Sequence, residues 1–245
     1  MSEKTCGIIY MAFGNNAVKS VENSISTIRA LNIDLPVATV GSHKIQHTIF
    51  IPWLGHAPWT EDTNNADQRF RAGYVKPFLH RLSPFDYTLY LDADTVIHKD
   101  IMPGFEFLED YDICAAYGDK DRTLGRSKNH FSRKEFSTPF FEDARKELSY
   151  TCKSLGKDTP IMNSGVIFFR KSVASSDFFE RWYLEWLRFK GWEEQHAFLR
   201  AERVCAKTKI LHLSFMWNQK QSDPETIIWH KMNSGDARDP KPKEI

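Results

Sequence analysis

The chain has 245 residues, enough for one α/β domain with a sizeable core. Hydrophobic residues make up 41% and charged residues 27%, the balance of an ordinary globular protein. Its 33 basic and 32 acidic residues leave a net charge of +1, which argues against a dedicated nucleic-acid binder but leaves room for a local basic cleft.

Residues 6–13, CGIIYMAF, read as a short buried strand ended by Gly14-Asn15-Asn16. Asn15 or Asn16 is placed to cap the next helix. There Val18, Val21, Ile25, Ile28 and Leu31 recur at helical spacing and form one apolar face. Residues 36–40 (PVATV) are a second strand, and residues 45–53 contain a third. This β-α-β-β start implies a parallel sheet. Residues 61–66 are polar and loop-like. Residues 67–82, DQRFRAGYVKPFLHRL, read as a helix that Pro77 kinks or restarts and Ser83-Pro84 ends. Tyr87–Leu91 is a strand that delivers Asp92 and Asp94 at its carboxyl end, where open α/β sheets bind ligands.

Residues 112–117 (DICAAY) form another strand. Residues 118–160 are irregular and charged, and read as an insert or lid with one helix over 140–148. Residues 161–170, IMNSGVIFFR, return to a strand. Ser176 is expected to cap the helix DFFERWYLEWLRF, whose Phe178, Trp182 and Trp186 share a face. Gly191 breaks it, and another helix is expected over 192–202. Residues 209–215 (KILHLSF) are a strand, residues 227–230 are a short apolar segment ending on His230, and a loose tail follows Gly235. No run of about 18 apolar residues occurs, so no membrane span is expected. The start, MSEKTCGIIYMAFG, lacks the features of a secretion signal. Cys6, Cys114, Cys152 and Cys205 are scattered without a CxxC pair, so free thiols in a reducing, cytoplasmic setting are expected.

The chemistry concentrates in YLDADTVI, residues 90–97. Alternate residues of an extended segment project to the same side, so Asp92 and Asp94 can share one cleft wall. Two carboxylates there suit Mg²⁺ or Mn²⁺ held against a diphosphate, with Asp94 the primary ligand and Asp92 a partner to metal or ribose. Asp92-Ala93-Asp94-Thr95-Val96 also matches the first motif of haloacid-dehalogenase phosphatases, with Asp92 as nucleophile and Asp94 as general acid. That motif belongs on the first strand of its fold, whereas a β-α-β start precedes it here. Its later acidic pair would have to be Asp119 and Asp121, which come too soon.

In order along the chain, MAFGNN, KPFLHRLSPFDYTLYLDADTVI, MNSGVIFFR, EEQHAFL and WHKMNSG resemble the segments of GT-A glycosyltransferases of the glycogenin and lipopolysaccharide-galactosyltransferase type. The matches span roughly residues 7 to 235. The resemblance implies a single GT-A, Rossmann-like α/β domain over 1–245, with a mixed, mostly parallel central sheet flanked by helices. Residues 5–117 would be the nucleotide-sugar half, 118–160 the insert, 161–235 the acceptor side and 236–245 a tail. It implies that Ala12, Phe13 and Gly14 embrace the nucleoside, that Lys76 neutralises donor phosphate, and that Asp92, Ala93, Asp94, Ser164 and Gly165 line the donor site. Arg69 and Arg71 are alternatives for the task of Lys76. Asn163-Ser164-Gly165 reads as a small, bare turn that a sugar can approach. Glu194 and Gln195 would bond the transferred sugar or the acceptor, with Glu194 the acceptor's base if the reaction inverts.

Asp92, Asp94 and His230 would hold Mn²⁺ or Mg²⁺, with His212 the other candidate histidine. His98 and His196 read as structural. Two departures stand out. Ala17 lies where the family often has a base-stacking Tyr, and the last segment carries its Gly late, so Lys231 or Arg238 would serve the phosphates. The implied activity is metal-dependent transfer of a sugar, with retention, from a nucleotide-diphosphate sugar such as a UDP-sugar. The acceptor would be a hydroxyl on a glycan, lipid-linked sugar or protein. A nucleotide-sugar-binding protein without turnover is a further alternative.

Overall fold

Cys6–Ala12 forms β1, buried along nearly its whole length, as an unbroken apolar run in the middle of a covered sheet requires. The computed structural model describes residues 4–53, 75–118, 122–131, 142–189 and 193–231. After β1 the chain turns at Gly14, whose φ of 81° suits glycine, straight into α1 (Asn15–Ala30). Gly14 itself occupies the cap position, and neither Asn15 nor Asn16 caps this helix by a side chain, because both already lie within its first turn. β2 (Val37–Gly41) and β3 (Ile49–Pro52) follow. A 3₁₀ turn at Lys76–Phe78 leads into the single turn α2 (Leu79–Leu82), so Pro77 starts a helical turn rather than kinking one. The rest of the expected 67–82 helix lies outside the described residues.

β4 (Tyr87–Leu91) and the short β5 (Thr95–Ile97) flank the two aspartates. α3 (Met102–Glu106) and a 3₁₀ turn over Phe107–Glu109 precede β6 (Ile113–Tyr117). Among its described residues, the stretch read as an insert carries two helices, α4 (Leu124–Phe131) and α5 (Glu142–Leu155). α5 sends Ala144, Leu148 and Cys152 into the core.

β7 (Met162–Arg170) is followed by α6 (Val173–Leu187), α7 (Glu194–Val204), β8 (Ile210–Leu213), a 3₁₀ turn at Phe215–Asn218 and β9 (Ile228–His230). Ser172, not Ser176, caps α6. Its hydroxyl accepts from the Ser175 amide while the Ser175 hydroxyl accepts from the Ser172 amide, and Ser176 falls inside the helix.

Among the described residues, the central sheet has seven strands in the order β3-β2-β1-β4-β7-β6-β8. β1 runs parallel to β2 and β4, β2 to β3, and β6 to β8. Of these seven described strands, β7 alone is reversed, antiparallel to both β4 and β6. Successive residues of β4 and β7 enter opposite layers. Tyr90, Ile167 and Phe169 join Phe178, Trp182 and Phe198 on one face, while Leu89, Leu91, Val166 and Phe168 join α1 residues, Phe105 and Trp217 on the other. Both faces are therefore covered, and the strands are apolar throughout rather than alternating.

Candidate active site

The reversal of β7 brings the site together. With Leu91 opposite Val166, the start of β7 lies beside the end of β4, and the Asp92 amide donates to the Gly165 carbonyl at 2.8 Å. Asn163, Ser164 and Gly165 are thus buried strand residues and not a turn: they lie between the Met162–Tyr117 and Val166–Leu91 pairs, where the β6 register shifts. The chain then turns through Ala93 and Asp94, with the Thr95 amide and hydroxyl both bonded to the Asp92 carbonyl. The two carboxylates converge through this turn rather than by strand alternation. β5 pairs antiparallel with β9, Thr95 facing His230, and the Lys231 amide donates to the Asp94 carbonyl at 3.0 Å. This two-stranded ribbon carries a histidine from the far end of the chain to the two aspartates.

Asp92, Asp94 and His230 offer three ligand atoms within 4.8 Å of one another. His230 Nε2 lies 3.1 Å from Asp94 Oδ1 and 3.6 Å from Asp92 Oδ2. Gly165 makes the space: a Cβ there would sit 2.7 Å from His230 Nδ1 and 2.8 Å from Asp92 Oδ2. Two carboxylates and one imidazole converging from a sheet end, a turn and a ribbon fit a divalent cation, and they leave further positions for ligand oxygens. Asparagines surround the buried ring on its other side. Asn218 Oδ1 lies 2.8 Å and Asn163 Nδ2 3.3 Å from His230 Nδ1.

Behind this group sits Lys76, almost wholly buried. Its Nζ reaches Asp92 Oδ1 at 3.1 Å, Ser164 Oγ at 3.1 Å and Glu194 Oε1 at 3.4 Å. Burial disfavours its ammonium, but Asp92 and Glu194 outweigh burial and hold its pKa above the ordinary value. Ser164 Oγ donates to Glu194 Oε1 at 3.0 Å. Burial alone would raise the Glu194 carboxyl, yet Lys76 and these bonds hold it below its usual value. Tyr90 donates its hydroxyl to Asp92 Oδ1 from inside the sheet. Glu193 is the opposite case: burial, then the charges of Glu194 and Glu147, push its carboxyl well above the usual range. Trp182 fixes the start of α7, its indole N–H donating to the Glu194 carbonyl at 2.7 Å. Arg122 approaches Gln195 Oε1 at 3.5 Å.

The structure gathers Lys76, Asp92, Asp94, Asn163, Ser164, Gly165, Glu194 and His230 around one point. Ala12 ends the neighbouring strand β1, opposite Gly41 on β2, and Phe13 and Gly14 follow it in the turn to α1. His212 lies elsewhere, its Nε2 2.6 Å from Glu202 and its ring stacked on Tyr117. His196 is a buried residue of α7, its Nδ1 3.9 Å from Glu147 Oε2, and His98 lies beside Trp229. Lys231 is exposed, its Nζ 5.0 Å from the centre of the Trp229 ring. Arg69, Arg71 and Arg238 fall outside the described residues. Asn218 and Tyr90 escape a reading by motif. Tyr90 had a signal, since a tyrosine two residues before Asp92 on a strand shares its side. Asn218 had none beyond a polar residue after the apolar FMW.

A family model described as nucleotide-diphospho-sugar transferase matches residues 73–219, more than half of the chain. No curated protein sequence matches it. Among solved structures, it resembles the galactosyltransferase LgtC in complex with donor and acceptor sugar analogues, with a TM-score of 0.55 at 13% identity over 91% of this chain and 86% of that one. It also resembles mouse xyloside xylosyltransferase 1, with a TM-score of 0.54 at 12% identity over 92% and 97%. The bifunctional glycosyltransferase WbbM gives a TM-score of 0.55 at 14% identity over 88% of this chain and 40% of that one. At these identities the likeness speaks to the fold, a GT-A fold, and the family model speaks to the chemistry: the chain belongs to the nucleotide-diphospho-sugar transferase family of glycosyltransferases.

Proposed function

We propose that the protein transfers a sugar from a nucleotide-diphosphate sugar, such as a UDP-sugar, to a hydroxyl acceptor, with a divalent cation, Mn²⁺ or Mg²⁺, at the site. The observation that carries this reading is the convergence of Asp92, Asp94 and His230 at the carboxyl end of β4 in a chain of this family. Asp92, Asp94 and His230 would hold the cation, which when bound supplies Lewis-acid charge to the departing diphosphate. Lys76 is held by three protein oxygens, so its first task is to fix Asp92, Ser164 and Glu194 and to keep both acids ionised. Ala12, Phe13 and Gly14 would flank the nucleoside beside Ala93. Asn163, Ser164, Gly165, Glu194 and Gln195 would line the sugar and acceptor side. The acceptor hydroxyl would belong to a glycan, a lipid-linked sugar or a protein.

Retention of configuration belongs to this reading. An inverting route needs a base for the acceptor, and Glu194, with its ionised form stabilised by Lys76, is a weak one. A phosphatase with Asp92 as nucleophile finds no support. Tyr90, Lys76 and His230 already crowd the Asp92 oxygens, and the family model points to another chemistry. The cytoplasmic setting is supported by four free cysteines.

The test is turnover of a panel of nucleotide-sugars with Mn²⁺ by wild type and Asp94→Ala. Loss of several kcal/mol of charge stabilisation predicts a fall of roughly a hundredfold or more. Unchanged turnover would remove Asp94 from the metal site. Mn²⁺-dependent nucleotide binding with no sugar release by wild type would instead mark a binding protein.

A further inference from the structure

The Asn218 side chain is completely buried and holds His230 from behind the site. Its Nδ2 donates to the Asn163 carbonyl oxygen at 3.0 Å. A flipped amide would set oxygen against oxygen there, so Oδ1 must face His230 Nδ1, 2.8 Å away. An amide oxygen only accepts, and therefore the proton of the imidazole resides on Nδ1. The Asn163 amide is oriented too, with its Oδ1 accepting from the Gly165 amide at 3.0 Å. Its Nδ2 then faces the same ring nitrogen at 3.3 Å, but two donors cannot share one bond, and the shorter contact belongs to Asn218.

We propose that Asn218 is a positioning residue that fixes the Nδ1–H tautomer of His230, leaving the Nε2 lone pair aimed between Asp92 and Asp94 for a divalent cation. The inference rests on the metal-dependent reading above. The logic is electrostatic. A lone pair 3.1 Å from one carboxylate oxygen and 3.6 Å from another is repelled by both, and a cation placed among them attracts all three groups and outweighs that repulsion. The other tautomer, with Asn163 donating to Nδ1, would put a proton on Nε2 and block ligation. Partners of the distal nitrogen orient metal-bound imidazoles in this way.

The backbone supports the assignment. The His230 amide donates to the Gln219 carbonyl at 2.8 Å, and the Gln219 amide donates to the Ile228 carbonyl at 3.0 Å, so the residue after Asn218 is laced to β9. Trp217, packed edge-on against Phe168, anchors the preceding position in the core. Asn218 can neither turn away nor slide along the ribbon.

The experiment measures Mn²⁺ affinity of the whole chain by the electron paramagnetic resonance signal of free Mn²⁺, without donor or turnover, for wild type, Asn218→Leu and Asn218→Asp. Near-ultraviolet circular dichroism checks packing in each. The leucine removes the acceptor and should weaken Mn²⁺ binding by about 10–100-fold. The aspartate keeps an oxygen acceptor for Nδ1–H but loses the donor to the Asn163 carbonyl, and it should lose much less affinity than the leucine. Wild-type affinity in Asn218→Leu, or equal losses in two folded variants, overturns the assignment. If Asn218→Leu does not fold, a large loss in folded Asn218→Asp overturns it alone. A wild-type protein that binds no Mn²⁺ would instead defeat the metal reading itself, an outcome distinct from a failure at Asn218.

Discussion

Lys76 shows how much one side chain organises. A lysine on a helical turn is ordinarily a solvated charge, and the family resemblance assigned this one to the donor phosphate. Here its Nζ lies among Asp92, Ser164 and Glu194 with almost no solvent access. Its removal leaves two carboxylates facing each other in a partly buried site. Lys76→Ala is therefore expected to cost about 3 kcal/mol of stability, measured as a lower urea midpoint with an unchanged slope. Loss of activity without loss of stability would mean that the lysine serves the donor alone. Gly165 is the complementary case: the absence of a side chain lets His230 and Asp92 approach.

At the scale of elements, the site depends on how α6 and α7 lock together. Trp182 is fully buried, packs edge-on against Phe198 at 5.1 Å and tilted against Phe179 at 5.7 Å, and bonds the first residue of α7 through Glu194. Trp182→Ala removes both the packing and the bond and is expected to destabilise by about 3–5 kcal/mol in denaturant unfolding. It should also loosen Glu194, which Trp182→Phe, retaining most of the packing, should do at a smaller cost in stability. The β5–β9 ribbon is the other decisive element. With Thr95 opposite His230 and Ile97 opposite Ile228, it is short, and the buried Ile97 and Ile228 tie it to the core layer that holds α1.

For the molecule as a whole, charge burial near the site links folding to pH. Glu193 has its carboxyl pushed well above its ordinary 4.5 by burial and by the charges of Glu194 and Glu147. The folded chain keeps a proton there that the unfolded chain releases, so this contribution is complete below the unfolded value and is lost as pH rises through the folded one. Glu194 works in the other sense, its lowered carboxyl contributing above the unfolded value and losing that contribution as pH falls through the folded one. Glu193→Gln should therefore flatten the decline in melting temperature as pH rises above the ordinary carboxylate range, relative to wild type. Parallel pH profiles would show that Glu193 ionises freely. Among the described residues, no helix is long and apolar enough to cross a membrane.

Much of this was written in the chain. Apolar runs located β1, β2, β4, β6 and β7, and helical spacing located α1 and α6, because burial on one or both faces demands those patterns at short range. The paired aspartates after an apolar strand announced charged chemistry at a sheet end. The tertiary structure decided the rest through contacts between distant residues. The reversal of β7 depends on its neighbours on both sides, and it turned Asn163-Ser164-Gly165 from an expected turn into a strand beside Asp92. The cap of α6 moved to Ser172 because a reciprocal bond with Ser175 was available there. β5 and β9 are too short to be read alone, since three residues gain strand character only by pairing. Asn218 gains its role only when that pairing seats His230 against it. Local periodicity is imposed by neighbours a few residues away, whereas a metal site is imposed by register, and register exists only once the sheet has formed.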